Sequence, residues 1–231
     1  MAARKPAERW LFTCEHGGRE IPGEYRSLFR GAQQALDSHR GWDPGALAVF
    51  RAIAPPLADA AFEATTSRLL VDLNRSAHHP RLLSEFTRPL PREGREEIVA
   101  RWWRPWRDTV TSTVAGWLSD GLLVRHLSVH SFTPELDGRI RNAELGLLYD
   151  PARHPEREFC LQWQAHLQAC GWQVRRNYPY RGVADGHTAA LRRRFGARYA
   201  GIELEMNQAL FPGQLETLCA DLATTLALLR S

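Results

Sequence analysis

Residues 122–134 read LLVRHLSVHSFTP, and this stretch decides the fold. Its first eight residues are largely apolar and predict a buried strand over residues 122–129. His130 follows directly, and Pro134 marks the loop in which the chain leaves the sheet. A histidine is therefore expected at the carboxyl end of a strand, the edge at which open α/β sheets carry their ligand-binding residues.

Two further segments end in residues of matching chemistry. Residues 10–14 read WLFTC and predict a short buried strand, and His16 lies in the loop that follows. Residues 69–75 read LLVDLNR and predict a third strand, which ends in Asn74 and Arg75. An amide next to a guanidinium is well suited to binding a carboxylate through directed donors. Two histidines at strand ends with acids nearby suggest a metal.

A late strand carries two acids. Residues 199–207 read YAGIELEMN, and alternation along a strand puts Glu203 and Glu205 on one face of the sheet. A carboxylate in a sheet core costs free energy unless it has a partner. These two acids are therefore candidates for chemistry.

Strand and helix patterns alternate along the chain. This alternation predicts an α/β fold: a single three-layer domain over residues 1–231, with a mixed, mostly parallel sheet and helices on both faces. Asp43 is expected as the N-cap of a helix that Pro55-Pro56 stops. Residues 93–119 predict a long amphipathic helix bent at Pro105, whose tryptophans belong to the core or to a dimer interface. A homodimer is thus left open.

The composition and charge of the chain limit the classes of partner that we expect. The chain has 231 residues, 44% of them hydrophobic, and a formal net charge of +4. No signal segment and no apolar run near the roughly 18 residues of a membrane span are found, so we expect a cytoplasmic protein without a membrane partner. The basic clusters are short and separated, which argues against nucleic acid. A small anionic substrate fits the charge.

In content and order, these segments resemble the N-formylglutamate amidohydrolase family. The resemblance runs from Glu15 to Asn207. It rests on short motifs, namely EHGG at 15–18, WDPGA at 42–46, SRLLVDLNR at 67–75, HSFTP at 130–134, NYPY at 177–180 and IELE at 202–205. Members of this family are similar in fold to the zinc carboxypeptidases and to succinylglutamate desuccinylase. The resemblance therefore implies a phosphorylase/hydrolase-like, zinc carboxypeptidase-like fold.

The resemblance also implies a Zn²⁺-dependent amidohydrolase that cleaves a small N-acyl amino acid such as N-formylglutamate. Zinc with three protein ligands and one open position lowers the pKa of a bound water to about 7. His16 and His130 are the first two expected ligands.

The third ligand is open between Asp43 and Glu15. Zinc carboxypeptidases have an acid three residues after the first histidine, but Arg19 stands at that position here. Asp43 matches an aspartate of the family pattern and is favoured. Glu15 is adjacent to His16, and neighbouring residues of an extended chain point to opposite faces unless the loop turns sharply.

Further roles follow from the same resemblance. Glu203 aligns with the general base of the carboxypeptidase-like enzymes, whereas Glu205 stands where the family usually has arginine. Asn74 and Arg75 match the pair that binds the substrate carboxylate. Arg68 is the expected electrophile beside the scissile carbonyl.

The remaining candidates are assigned more broadly. Arg141, Tyr178 and Tyr180 are expected to complete the substrate site, and Asp72 to orient a ligand histidine or an arginine. Two rival functions remain at this point. One is a zinc carboxypeptidase or desuccinylase-like hydrolase, and the other is a non-catalytic binding protein with the same fold.

Overall fold

The computed structural model describes residues 7–230, and within this range a six-stranded sheet forms the centre of the protein. The strand order is β2-β1-β3-β8-β6-β7. The first four of these strands are parallel to one another, β6 runs antiparallel to β8, and β7 is parallel to β6. The expected mixed, mostly parallel sheet is confirmed.

The strands, in chain order, are β1 (Glu8–Cys14), β2 (Ala60–Glu63), β3 (Leu123–Phe132), β4 (Glu135–Leu136), β5 (Arg139–Ile140), β6 (Leu145–Leu148), β7 (Val174–Arg176) and β8 (Tyr199–Asn207). The short strands β4 and β5 pair as a separate antiparallel hairpin. The α-helices are α1 (Gln33–Asp37), α2 (Ala46–Leu57), α3 (Arg92–Ile98), α4 (Arg104–Ser119), α5 (His154–Ala169), α6 (His187–Phe195) and α7 (Phe211–Arg230).

The two faces of the sheet differ in polarity because side chains alternate along each strand. One face carries buried apolar residues such as Phe12, Leu127 and Leu204, which pack with α2, α5 and α7. The opposite face is covered by α4 and α6, whose apolar residues pack with Leu11 and Tyr199. Helices thus cover both faces, as a three-layer α/β domain requires.

The buried histidines and acids of the central strands lie on the face under α4 and α6. Strand β3 places His126, Ser128 and His130 there at alternate positions, and β8 does the same with its two glutamates. In register, Ser128 is opposite Glu203 and His130 is opposite Glu205. The alternation therefore gathers the chemistry of two neighbouring strands on one side of the sheet.

The predicted strand over residues 69–75 is wrong. This segment is a buried loop of turns, in which the Leu70 N–H bonds to the Ser67 carbonyl and the Arg75 N–H bonds to the Asp72 carbonyl. Its leucines pack with Ile98 and neighbouring tryptophans in a second hydrophobic cluster. A short apolar run shows that a segment is buried, but it does not distinguish a strand from other buried backbone.

Asp43 is not the N-cap of the following helix. Helix α2 begins at Ala46, and its N-cap residue is Gly45, with φ of 81°. The backbone carbonyl of Asp43 accepts from the Ala46 N–H at 3.1 Å, which leaves the Asp43 side chain available for other contacts. The proline pair also does not stop α2 at once, because the helix continues to Leu57.

The long helix predicted over residues 93–119 is divided. Helix α3 is followed by a π-helix over Val99–Trp103, and α4 continues from Arg104. Tryptophans 102, 103 and 106 pack on the second hydrophobic cluster, so they serve the core. Within residues 7–230 no helix is both long and apolar enough to cross a membrane.

Candidate active site

A cavity of about 650 Å³ opens at the carboxyl ends of the parallel strands. Its wall includes His16, Asp43 and His130 together with both glutamates of β8. The loop after residue 78 contributes part of the rim. The sequence pattern predicts His130 just beyond the end of its strand. In the structure β3 extends to Phe132, so His130 lies inside the strand.

Three buried side chains converge at the base of the cavity. One potential ligand atom from each of His16, Asp43 and His130 lies within 4.8 Å of the others. Asp43 Oδ2 is 3.4 Å from His16 Nδ1 and 2.9 Å from His130 Nδ1. Among residues 7–230 this is the group of histidine and acidic side chains whose geometry suits a metal ion.

Contacts on the far side of each ring determine which nitrogen faces the cavity centre. His16 Nε2 is 2.8 Å from Asp72 Oδ1, and since a carboxylate only accepts, this nitrogen carries the proton. His130 Nε2 is 2.8 Å from the Ser128 hydroxyl. Both rings thus direct Nδ1 toward Asp43.

The donor set fits zinc. Two imidazole nitrogens and one carboxylate oxygen are typical ligands of a catalytic zinc site with one open position. His16 Nδ1 is buried and has no hydrogen-bond partner among the described residues, a costly arrangement that a metal ion would relieve. The carboxylate of Asp72 behind His16 is the outer partner commonly found for a metal-bound histidine.

Electrostatics in the metal-free site follow from Asp43. Burial alone would lower the pKa of His130, but the hydrogen bond and charge of Asp43 outweigh it and raise this pKa to about 10. Burial would raise the pKa of Asp43, yet the charges of His16 and His130 hold it well below its usual range. With no metal bound, His130 is therefore protonated, and its Nδ1–H donates to Asp43.

Glu15, the alternative third ligand, lies behind the site. Its Oε1 accepts from the Thr13 hydroxyl at 2.8 Å, and its Oε2 accepts from the Ser128 hydroxyl at 2.7 Å. Burial would raise its pKa, but His187 and His130 lower it below its usual range. Glu15 therefore contacts the outer side of His130, away from the converging ligand atoms.

Arg68 bridges two carboxylates at the cavity wall. Its guanidinium is 2.7 Å from Asp72 Oδ2 and 3.5 Å from Asp43 Oδ1. Burial would lower the pKa of Arg68, but Asp72 and Asp43 raise it above its usual range. A fixed positive charge next to the ligand cluster is available to a developing negative charge on a substrate.

Asn74 and Arg75 both line the cavity, although they come from a loop and not from a strand. Asn74 Oδ1 accepts a hydrogen bond of 2.6 Å from the backbone N–H of His187, at the start of α6. Arg75 donates to the Asp185 carbonyl at 3.3 Å, and its Nε is 3.7 Å from Asp72. Both side chains are thus anchored at the wall.

Of the three remaining substrate-site candidates, one lines the cavity and two do not. Tyr180 lines the cavity, and its hydroxyl accepts from Arg141 Nη1 at 3.2 Å. Arg141 stands behind Tyr180 and does not line the cavity itself. Tyr178 does not reach the cavity either, because its ring packs edge-on against Phe132 and beneath the Arg175 guanidinium.

The two glutamates of β8 differ in their surroundings. Glu203 is partly buried and accepts a short hydrogen bond from the Thr188 hydroxyl. Glu205 is buried opposite His130, and its Oε2 has no hydrogen-bond partner among the described residues. Burial raises the pKa of Glu205 to about 8.

Several polar residues of the site are absent from the sequence-based prediction. Ser128 could have been found, since His126, Ser128 and His130 occupy alternate positions of one strand. His187 and Thr188 had no comparable signal, because α6 brings them to the site only through tertiary packing.

The sequence profile of the N-formylglutamate amidohydrolase family matches residues 8–211. The structure of the gene product Atu2144 from Agrobacterium tumefaciens is similar, with a TM-score of 0.81, 28% identity, and coverage of 96% of this chain and 90% of that chain. The N-formylglutamate amidohydrolase from Ralstonia eutropha JMP134 shares the fold, with a TM-score of 0.72, 19% identity, and coverage of 98% and 94%. No curated protein sequence matches significantly. The profile match covers most of the chain, which therefore belongs to the N-formylglutamate amidohydrolase family.

Proposed function

We propose that this protein is a zinc-dependent amidohydrolase that cleaves a small, anionic N-acyl amino acid such as N-formylglutamate. The convergence of His16, Asp43 and His130 at the base of one cavity carries the proposal. Membership of the family supports amide hydrolysis as the reaction class. Segments from residue 16 to residue 205 build this one cavity, which supports a single catalytic domain.

His16, Asp43 and His130 would hold the zinc ion. When bound, zinc supplies a water of lowered pKa and polarises the carbonyl of the scissile amide. Asp43 would add a negative charge to the metal site. Asp72 fixes the orientation of the His16 ring through its contact with Nε2.

Glu203 acts as the general base in this proposal. Its carboxylate takes a proton from the attacking water and delivers it to the nitrogen of the leaving amine as the C–N bond breaks. The products are the carboxylic acid of the acyl group and the free amino acid. The Thr188 hydroxyl fixes the carboxylate on the cavity wall.

Arginines provide charge for binding and for the transition state. Arg68 stabilises the oxyanion that develops on the scissile carbonyl, because it is fixed beside Asp43 in a partly buried position. Asn74 and Arg75 bind the carboxylate of the amino acid through their amide and guanidinium donors. Tyr180, supported by Arg141, borders the same cavity. Tyr178 lies behind the lining residue Phe132 and would support the substrate site through that ring.

The test combines metal analysis with a substrate screen. Purified protein is expected to bind about one zinc per chain and to hydrolyse N-formyl amino acids in preference to N-succinyl ones. His130→Ala should lose both properties. Preference for N-succinyl substrates would favour the desuccinylase-like alternative, and peptide cleavage would favour a carboxypeptidase. Zinc-loaded protein that hydrolyses none of these compounds would indicate a binding protein.

A further inference from the structure

A buried hydrogen-bonded chain lies directly behind His130, on the side facing the sheet. His130 Nε2 is 2.8 Å from Ser128 Oγ, and Ser128 Oγ is 2.7 Å from Glu15 Oε2. All three side chains are nearly inaccessible to solvent, with Glu15 0% and Ser128 1% exposed. The proposed chemistry uses neither Ser128 nor Glu15.

The Ser128 hydroxyl has a single proton, and its two neighbours determine which of them accepts it. A carboxylate oxygen accepts but does not donate, so Ser128 donates its single proton to Glu15. The hydroxyl oxygen is then an acceptor toward His130, and Nε2 must carry the proton in that contact. In neutral His130 the lone pair is consequently on Nδ1, which faces Asp43.

We propose that Ser128 and Glu15 are positioning residues, which hold His130 with its proton on Nε2 and present Nδ1 to the metal. This inference rests on the proposed function, since it concerns the same metal centre. Glu15 thus influences the metal through Ser128 and His130 and does not ligate it. His16 has the simpler form of the same support, a direct contact with Asp72.

The loss of such an outer partner typically weakens metal binding, because the ring is no longer held in one orientation and one tautomer. Ser128→Ala removes the hydroxyl that joins Glu15 to His130. We expect zinc affinity, measured by competition with a chromophoric chelator, to fall by about 10–100-fold in this variant.

Thr13 offers a matched control on the other oxygen of Glu15. Its hydroxyl donates to Glu15 Oε1 and is also buried, but it contacts His126 and not His130. Thr13→Val therefore removes a buried hydroxyl from the same carboxylate without touching the proposed ligand. This variant should lose thermal stability comparably to Ser128→Ala and should keep wild-type zinc affinity.

A measurement on the wild-type protein tests the same inference without either variant. In protein loaded with ¹¹³Cd and labelled with ¹⁵N-histidine, the metal should couple to Nδ1 of His130, and the Nε2 proton should be protected from solvent exchange. Coupling to Nε2 would overturn the inference. Equal zinc affinity in Ser128→Ala and Thr13→Val would overturn it as well.

Affinity and activity separate this inference from the proposed function. Wild-type protein that binds zinc and loses affinity on Ser128→Ala, yet hydrolyses no N-acyl amino acid, would support the positioning residues and reject the hydrolase. Wild-type protein that binds neither zinc nor cadmium would reject both.

Discussion

The metal-free protein is expected to lose stability as pH rises from 6.5 to 8, because of His130. Asp43 raises the pKa of His130 to about 10 against the opposing effect of burial. An unfolded histidine has a pKa of about 6.5. At pH 8 the folded chain therefore keeps a proton that the unfolded chain has lost.

The size and sign of the effect follow from proton linkage. A group whose pKa is raised by folding contributes its full stability below its unfolded pKa, and the contribution is lost as pH rises toward the folded value. The slope approaches about −1.4 kcal/mol per pH unit, which gives a loss of about 1.5 kcal/mol between pH 6.5 and 8. Burial lowers the pKa values of His126 and His187 to about 3 and 4, so at pH 6.5 these two are neutral in the folded chain but half protonated in the unfolded chain. Loss of that proton from the unfolded chain adds back about 0.4 kcal/mol for each by pH 8, equally in the wild type and in Asp43→Asn.

Urea denaturation of chelator-treated protein at several pH values between 6.5 and 8 measures this loss. In Asp43→Asn the carboxylate that raises the pKa of His130 is gone, and the fall in stability over this range should shrink by about 1.5 kcal/mol. Burial raises the pKa of Glu205 to about 8, so this carboxyl group also releases its proton as pH rises to 8 and adds a fall of its own, which a Glu205→Gln background removes from both proteins. Zinc competes with the proton for Nδ1, so zinc affinity should rise with pH in the wild type. Constant or rising stability of the metal-free wild type, or an unchanged slope in Asp43→Asn, would refute the assignment of the proton to this pair.

Three further experiments test the roles of individual residues. Glu203→Gln should lower kcat by at least about 100-fold in steady-state assays while zinc and substrate still bind, and Glu205→Gln should do much less. A larger loss in Glu205→Gln would transfer the role of base to that residue. Arg75→Lys should raise KM strongly for substrates with a free carboxylate and little for their amides, because lysine lacks the two-pronged donor geometry; equal effects on both would assign Arg75 to the fold. Asp43→Ala should weaken zinc binding, measured by chelator competition, more than Glu15→Ala does, and the reverse order would make Glu15 the third ligand.

The sheet could be predicted from the sequence because its central strands are apolar and punctuated by clear loops. Strands β1, β3 and β8 fall within or close to the predicted runs. The segment around Leu70 was misassigned because it is equally apolar, but its hydrogen bonds close turns and do not form a ladder. Apolarity indicates burial, and the pairing partner of the backbone is decided by tertiary structure.

The candidate site was predictable where the signal is local. His16 and His130 are recognisable from their positions after apolar runs, and Glu203 from its alternation with apolar neighbours. The surroundings of Glu15 could not be predicted, since Ser128 comes from another strand and His187 from a distant helix. Tyr178 shows the converse, because proximity in sequence to Tyr180 did not bring its ring to the cavity.

Buried polar atoms without hydrogen-bond partners mark positions at which a bound ligand would supply the missing contact. Buried polar groups normally have hydrogen-bond partners, and a group without one costs free energy. Among the described residues, the buried atoms without partners include His16 Nδ1 and Glu205 Oε2, and both residues line the same cavity. His130, Asp43 and Glu15 in contrast are fully engaged with one another or with hydroxyl groups. The arrangement thus holds most of the cavity wall rigidly. Of the buried atoms without partners among the described residues, the two that belong to cavity-lining residues could be completed by a metal ion and by a substrate, as expected of a preorganised catalytic centre.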